Sequence, residues 1–223
     1  MKQKAVILLS GGLDSTTALY WAKDQDIELY PLYVDYESTH KSKELDAAKT
    51  ICDLNSLPLR ITTLDLRQFI NTPLTNKDIK MPTSMHEANQ TVVPFRNMLL
   101  IAHAAIYCRE INADTIITSP TQDDYATYRD CRPTFFNQLE QVLSEGSDIE
   151  KNYTIITPFI HKTKAEVVDI GIQLKVPFDK TWTCYKGEEN PCKTCPACIG
   201  RQTAFNVNKQ SDPLLQIDSI DRK

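Results

Sequence analysis

The chain has 223 residues, of which 41% are hydrophobic and 24% charged, and a formal net charge of −4. That length supports one well-buried core with a small appendage. The acidic balance, with a sequence pI of about 5.6, argues against a nucleic-acid partner and for small-molecule substrates. No apolar run approaches the roughly 20 residues of a membrane span, and the N-terminus lacks the three-part form of a signal peptide, so a cytoplasmic protein with no membrane partner is expected.

The run Ala5-Val6-Ile7-Leu8-Leu9 predicts a buried strand that breaks at Gly11 and Gly12 and resumes as a helix through Ala18-Leu19-Tyr20-Trp21-Ala22. Glycines allow close backbone approach, and the first free N–H groups of the helix point into the same space. Ser10, Ser15, Thr16 and Thr17 add hydroxyls there. A phosphate chain is the natural occupant. The corner has neither the Lys of a Walker motif nor the third Gly of a dinucleotide fingerprint.

Glu28 to Asp35 predicts a second strand, in which Pro31 fits best near the start or at an edge. Thr39 to Leu54 predicts a helix with Leu45, Ala48, Ile51 and Cys52 on one stripe, and Leu59 to Leu64 a third strand. Strand, helix, strand, helix, strand implies an α/β fold with a parallel sheet. Ligands of such sheets sit beyond the carboxyl ends of the strands, where Ser10 and Asp35 lie.

From Arg67 to Val92 the sequence is irregular, and a loop of that length is usually functional or mobile. A helix then runs to Ile111, with Leu99, Leu100, Ala102, His103, Ile106 and Tyr107 as its expected packing face. Asp114 to Thr118 predicts a fourth strand, Pro133 to about Leu143 a helix opened by proline, Tyr153 to Thr157 a fifth strand, and Lys164 to Leu174 a last amphipathic helix. The expected organisation is an α/β nucleotide-binding domain over 1–180, a four-cysteine segment over 181–210, and a tail over 211–223 that is partly disordered.

Seven cysteines are present, and four of them, Cys184, Cys192, Cys195 and Cys198, are spaced x7, x2 and x2. Four thiolates at that spacing can surround a tetrahedral Zn²⁺ and leave no open position, so the metal is expected to be structural. An iron–sulfur cluster is the alternative occupant. Cys52 and Cys108 fall on apolar helix stripes and read as core; Cys131 stands in a polar loop. His40, His86, His103 and His161 show no metal-site spacing and read as structural or surface residues.

The Ser10 to Thr16 stretch resembles the SGGxDS(S/T) signature of PP-loop ATP pyrophosphatases, which cleave ATP between the α and β phosphates and put AMP on a substrate oxygen. From Ala5 to about Phe205 the chain resembles the QueC family within that superfamily. The resemblance rests on the corner, the cysteines, Asp35-Tyr36, Val93-Pro94-x-Arg96-Asn97, Tyr128-x-Asp130-Cys131-Arg132-Pro133, Thr163-Lys164-Ala165-Glu166, Val176-Pro177-Phe178 and Thr181-Trp182-x-Cys184-Tyr185. It implies a Rossmann-like ATP-binding domain, structural Zn²⁺, Mg²⁺ with ATP, a homodimer, and conversion of 7-carboxy-7-deazaguanine and ammonia to the nitrile preQ0. Four stretches depart from the family pattern. Tyr36-Glu37-Ser38 replaces Tyr-Gly-Gln, Phe95 replaces a Gly, Arg129 replaces a Pro, and Ser119 to Asp124 replaces a Gly-x-x-x-Glu-Asp lead-in.

On this resemblance the nucleotide contacts are assigned to Leu9, Ser10, Gly11, Gly12, Leu13, Asp14, Ser15, Thr16, Thr17, Ala18 and Leu19, with Asp35 on the adenosine side and Asp14 as a Mg²⁺ partner. Ser10, Asp14, Ser15, Arg96 and Lys164 are the candidate catalytic residues. Arg96, Asn97, Asp130 and Arg132 are the candidate acceptor contacts, Asp130 because a carboxylate accepts both parallel N–H donors of a guanine-like edge. Three other functions are weighed: a related ligase joining a deazaguanine carboxylate to another amine, a tRNA thiolase, and a non-catalytic zinc-ribbon module. A thiolase needs an exposed reactive Cys and a basic surface, and a binding module predicts a damaged loop.

Overall fold

The computed structural model describes residues 2–216. Its elements in chain order are β1 (Lys4–Leu8), α1 (Leu13–Asp24), β2 (Glu28–Asp35), α2 (Lys41–Leu54), β3 (Arg60–Thr63), α3 (Arg96–Ile111), β4 (Thr115–Ile117), α4 (Pro133–Glu145), β5 (Thr154–Ile156), α5 (Lys164–Gln173), α6 (Pro196–Val207) and α7 (Pro213–Gln216), with short 3-10 turns between. The five strands form one sheet in the order β3-β2-β1-β4-β5, every neighbouring pair parallel.

A side-chain period of 2 along β1 divides the core. Ala5, Ile7 and Leu9 face α1, α2, α5 and α6, where they meet Leu19, Ile51, Val167 and Phe205. Val6 faces the other way with Leu32 and Ile116, and packs on Ile101 and Ala104 of α3 and Phe136 of α4. Both faces of the inner strands are therefore covered, which is why β1 and β4 read as continuous apolar runs.

Pro31 lies in an interior strand, opposite Ile7. Leu9 N–H donates to Leu32 O at 2.9 Å, so the polar groups of Leu32 face β1 and those of Pro31 face away from it. On that side β3 pairs only from Leu32 onward, so the missing proline N–H breaks no ladder bond.

Two elements differ from expectation. The buried face of α3 is Ile101, Ala104, Ala105 and Cys108, while Ile106 is 69% exposed. The helix is apolar almost all round, so periodicity does not choose the face; the alanines do, by admitting a close approach to the sheet. A sixth long helix, α6, begins at Pro196 inside the cysteine segment. Proline there occupies the first helical turn, where no N–H is needed, instead of ending structure.

The long loop is tied down by local threonine bonds, including Thr75 Oγ1 to Ile70 O at 2.7 Å. Leu66, Leu74, Met81 and Val93 join Trp182 and the cysteines in a third cluster. Of the tail, Asp212 is buried against Arg201, and α7 follows; residues 217–223, on which the expectation of disorder also falls, lie outside the described residues. No single helix among the described residues is long and apolar enough to cross a membrane.

Candidate active site

β1 is the central strand, where connections run out to β2 on one side and β4 on the other. The crevice beyond such a switch point is the ligand position of doubly wound sheets. Here it holds a cavity of about 700 Å³, large enough for a nucleotide and a second small molecule.

The floor is the strand-to-helix corner. Gly11 has φ +74°, and a Cβ there would stand 2.5 Å from Ala48 N and 2.8 Å from Glu44 O, so only glycine lets the corner rest on α2. Trp182 N–H donates to Gly11 O at 2.9 Å, which ties the cysteine segment to the same turn. Gly12 precedes α1 and no side chain caps the helix, so its first N–H groups are open to a ligand. Ser10 Oγ accepts from Gly12 N at 3.2 Å and lies 3.1 Å from Ser15 Oγ.

Leu9, Ser10, Gly12, Leu13, Asp14 and Ser15 line the cavity. The other corner candidates do not. Gly11 is packed on α2, Thr16 is fully buried with its hydroxyl unpartnered, Thr17 Oγ1 is spent on Leu13 O at 2.8 Å, and Ala18 and Leu19 belong to the core. The helix turns these side chains away from the ligand face after its first turn.

Lys164, the first residue of α5, reaches Asp14 across the cavity, Nζ to Oδ2 at 2.5 Å. Burial raises the Asp14 carboxyl above its usual range despite this partner. Burial also works against the Lys164 charge, but Asp14, Asp124 and Asp123 outweigh it and hold the ammonium protonated. Asp14 Oδ1 is buried and, among the described residues, has no hydrogen-bond partner.

Arg96 opens α3 and lines the cavity, with Nη1 donating to Tyr36 Oη at 3.3 Å and its guanidinium 5.6 Å from the ring centre. Asn97 also lines it, its amide held by Asp130 O at 3.0 Å. Asp130 and Arg132 are placed elsewhere. Asp130 Oδ2 accepts Asn97 N–H at 3.2 Å at the start of α3, and Arg132 is exposed with its guanidinium on Tyr125 O at 3.1 Å. Asp35 is likewise outside the lining, accepting Glu37 N–H at 2.8 Å and Lys41 Nζ at 3.2 Å. Cys131 does line the cavity, but burial pushes its thiol up to about 12, so it is no ready nucleophile.

Two departures from the family pattern sit at left-handed backbone positions. Glu37 has φ 63° and Phe95 φ 60°, a conformation that glycine adopts without a Cβ penalty.

Several lining residues come from outside the sequence candidates: Tyr36, His40, Glu44, Tyr128, Trp182 and Tyr185. Tyr36, Tyr128, Trp182 and Tyr185 fall inside the quoted motifs. His40 and Glu44 carry no local signal, because α2 reaches the cavity only through its packing beneath Gly11.

Behind Trp182 the four cysteine sulfurs lie within 4.8 Å of one another, with Cys192 Sγ 4.0 Å from Cys198 Sγ. Backbone N–H groups of Cys192 and Cys195 point at Cys184 and Cys192 sulfurs, both at 3.3 Å. Four sulfurs this close together could hold a metal ion.

The sequence model of a family described as Queuosine biosynthesis protein QueC matches residues 4–209. Among curated relatives, the 7-cyano-7-deazaguanine synthase of Clostridium kluyveri is 38% identical over 220 residues, covering 95% of this chain and 97% of that protein. That of Picrophilus torridus is 39% identical over 209 residues, covering 91% and 87%. Among solved structures, the NH3-dependent NAD synthetase from Campylobacter jejuni superposes with a TM-score of 0.47 at 18% identity, over 81% of this chain and 67% of that one.

Proposed function

The chain belongs to the QueC family, and on that premise we propose that it is a 7-cyano-7-deazaguanine synthase, converting 7-carboxy-7-deazaguanine and ammonia to the nitrile preQ0 at the expense of ATP, through an adenylated intermediate. The observation that carries this reading is one cavity lined together by an uncapped helix N-terminus, the Asp14–Lys164 pair and Arg96.

Making a nitrile from an acid meets one obstacle twice, because oxygen on carbon is a poor leaving group. Transfer of AMP to the carboxylate, and later to the amide oxygen, converts each oxygen into part of a good one. The protein's part is positioning and charge compensation. The N–H groups and hydroxyls at Ser10 to Ser15 hold the phosphate chain. Lys164 bears on the charge that builds as the bond between α and β phosphates opens, and Arg96 on the acceptor carboxylate.

The unpartnered, buried Asp14 Oδ1 fits a Mg²⁺ ligand, and the ion supplies charge neutralisation on the phosphates when bound. The four cysteines fit Zn²⁺ in a closed shell, which leaves the metal a structural task behind Trp182. We further propose a cytoplasmic homodimer, on the strength of the family resemblance.

The test is incubation of the purified protein with 7-carboxy-7-deazaguanine, ATP and ammonium. Nitrile and AMP in the product mass spectrum are the expected result. Consumption of ATP with an adduct of some other amine, and no nitrile, overturns the assignment of acceptor.

A further inference from the structure

Four carboxylates line the cavity, Asp14, Glu44, Asp123 and Asp124. Three of them gather at Lys164. Asp14 pairs with its ammonium, Asp123 accepts its backbone N–H at 2.8 Å, and Asp124 adds to the field on both. Glu44 stands apart on α2, its side chain 16% exposed, among Tyr33, Tyr36 and His40.

His40 is 1% exposed and tilts against Tyr185 with ring centres 5.3 Å apart. Its Nε2 lies 3.3 Å from Glu44 Oε1 without hydrogen-bond alignment, and among the described residues neither ring nitrogen has a hydrogen-bond partner. A buried polar ring left in that state calls for an explanation. Gly187, with φ +64°, packs its backbone on His40; a Cβ there would meet His40 Cα at 2.7 Å. The His40 backbone is thus held close against the Gly187 turn, and its ring lines the cavity beside Glu44.

We infer that Glu44, positioned by His40, reads the N–H edge of the acceptor base inside the aromatic wall of Tyr36, Trp182 and Tyr185. The inference rests on the function proposed above and names the group that recognises its substrate. A deazaguanine presents a ring N–H and an exocyclic amine side by side, and both oxygens of a carboxylate accept them in parallel. Adenine offers a donor beside an acceptor, and a carboxylate repels the acceptor. Glu44 therefore both selects the base and keeps ATP out of the acceptor half of the cavity, while the aromatic faces supply stacking. Asp130, which sequence alone favours for this task, is occupied at the start of α3.

The experiment is steady-state kinetics of Glu44→Gln and of the unmodified chain with 7-carboxy-7-deazaguanine and with its analogue lacking the exocyclic amine. An amide turns a donor toward a donor, so kcat/KM for the acid is expected to fall about tenfold to a hundredfold, with KM for ATP unchanged. The unmodified chain should reject the analogue by a similar factor, and the variant should lose that rejection. His40→Ala should weaken the discrimination in the same direction, and His40→Gln, which keeps a polar atom facing Glu44, should recover part of it. A Glu44→Gln variant that discriminates as well as the parent, or that loses ATP affinity instead, overturns the inference. Acid-dependent ATP–pyrophosphate exchange by the unmodified chain separates the two levels. Its absence sinks the proposed function and this inference with it, whereas its presence beside either overturning result sinks only the role of Glu44.

Discussion

Asp14 and Lys164, separated by 150 positions in the chain, meet inside the cavity at 2.5 Å. One arrives on the first turn of α1 and the other on the first turn of α5, so the contact forms only when both helices sit on the same face of the sheet. On the proposed function, its place beside an uncapped helix N-terminus assigns the cation to the negative phosphate oxygens. Lys164→Met removes the charge and keeps most of the stem. Acid-dependent ATP–pyrophosphate exchange should fall by about 10²–10³, with the cooperative melt retained. A variant with undiminished exchange would move the phosphate site elsewhere.

Phe95 and Glu37 both carry left-handed backbone, but their surroundings differ. Phe95 is 69% exposed, so little burial offsets its strain. Phe95→Gly should raise the urea unfolding free energy by about 0.5–1 kcal/mol. Glu37 forms ion pairs with Lys41 at 2.7 Å and Arg67 at 3.3 Å. Partly exposed pairs contribute about 0.2–1 kcal/mol each, so Glu37→Gly gives up about as much as it relieves and should be close to neutral. Equal effects of the two substitutions would show that the ion pairs of Glu37 contribute nothing against the strain that both positions share.

The strands and the corner were legible because each is a short apolar run stopped by glycine or polar residues, and β1 through Ser10 needs no tertiary knowledge to read. Legibility fails where a side chain's task is set by a distant element. Asp130 looks like a free ligand in a polar loop, yet the start of α3 takes it. His40 reads in sequence as structural or surface, and it is Tyr185, 145 positions away, that helps to bury it. Gly200 and Pro196 look like breakers, but one sits at the first turn of α6 and the other where Lys164 passes, its methylenes 3.9 Å from a Cβ built on the glycine.

The cysteine cluster should bind one zinc per chain, read by elemental analysis of the purified protein. Cys195→Ser removes a fully buried ligand and should lose the metal. Trp182 Nε1 donates to Cys184 O at 2.8 Å, so its fluorescence should report the loss before the sheet melts. Full zinc content in the variant would mean that fewer than four sulfurs hold the ion.

α5 starts with a reciprocal cap. Thr163 Oγ1 accepts Glu166 N–H at 3.3 Å, while Glu166 Oε2 accepts Thr163 N–H at 2.7 Å. These bonds, first from the backbone N–H and then from the hydroxyl, hold the Glu166 carboxyl below the usual glutamate range. Its folded pKa lies under its unfolded one. The stabilisation is therefore complete above the ordinary glutamate pKa and is lost as pH falls through the lowered value. Thr163→Ala should cost about 1 kcal/mol at neutral pH, and the gap between variant and parent should narrow in acid. A gap that does not change between neutral and acid melts would remove the carboxylate from the account.

Arg201 and Asp212 form the buried ion pair that joins the last segment to the rest, each side chain 3% exposed. The pairing is a two-point fork, Nε to Oδ2 at 2.7 Å and Nη2 to Oδ1 at 2.8 Å. The remaining guanidinium donors are also used, on Phe178 O at 2.8 Å, Thr181 Oγ1 at 2.7 Å and Thr183 Oγ1 at 3.1 Å. Such a pair adds little net stability over an apolar replacement of both partners, but leaving one charge buried alone is expensive. Asp212→Ala should therefore destabilise by about 3–5 kcal/mol, and a chain ending at Lys209 should behave alike, since it deletes the same carboxylate. Arg201→Met combined with Asp212→Leu should recover much of the loss, because no charge is then stranded. Urea melts of the three variants decide the matter. If the double variant is no better than Asp212→Ala, the cost lies in the lost anchoring of Phe178 and Thr181, whose neighbour Trp182 holds the strand-to-helix corner through Gly11 O. Exchange activity would then fall in step with stability in all three.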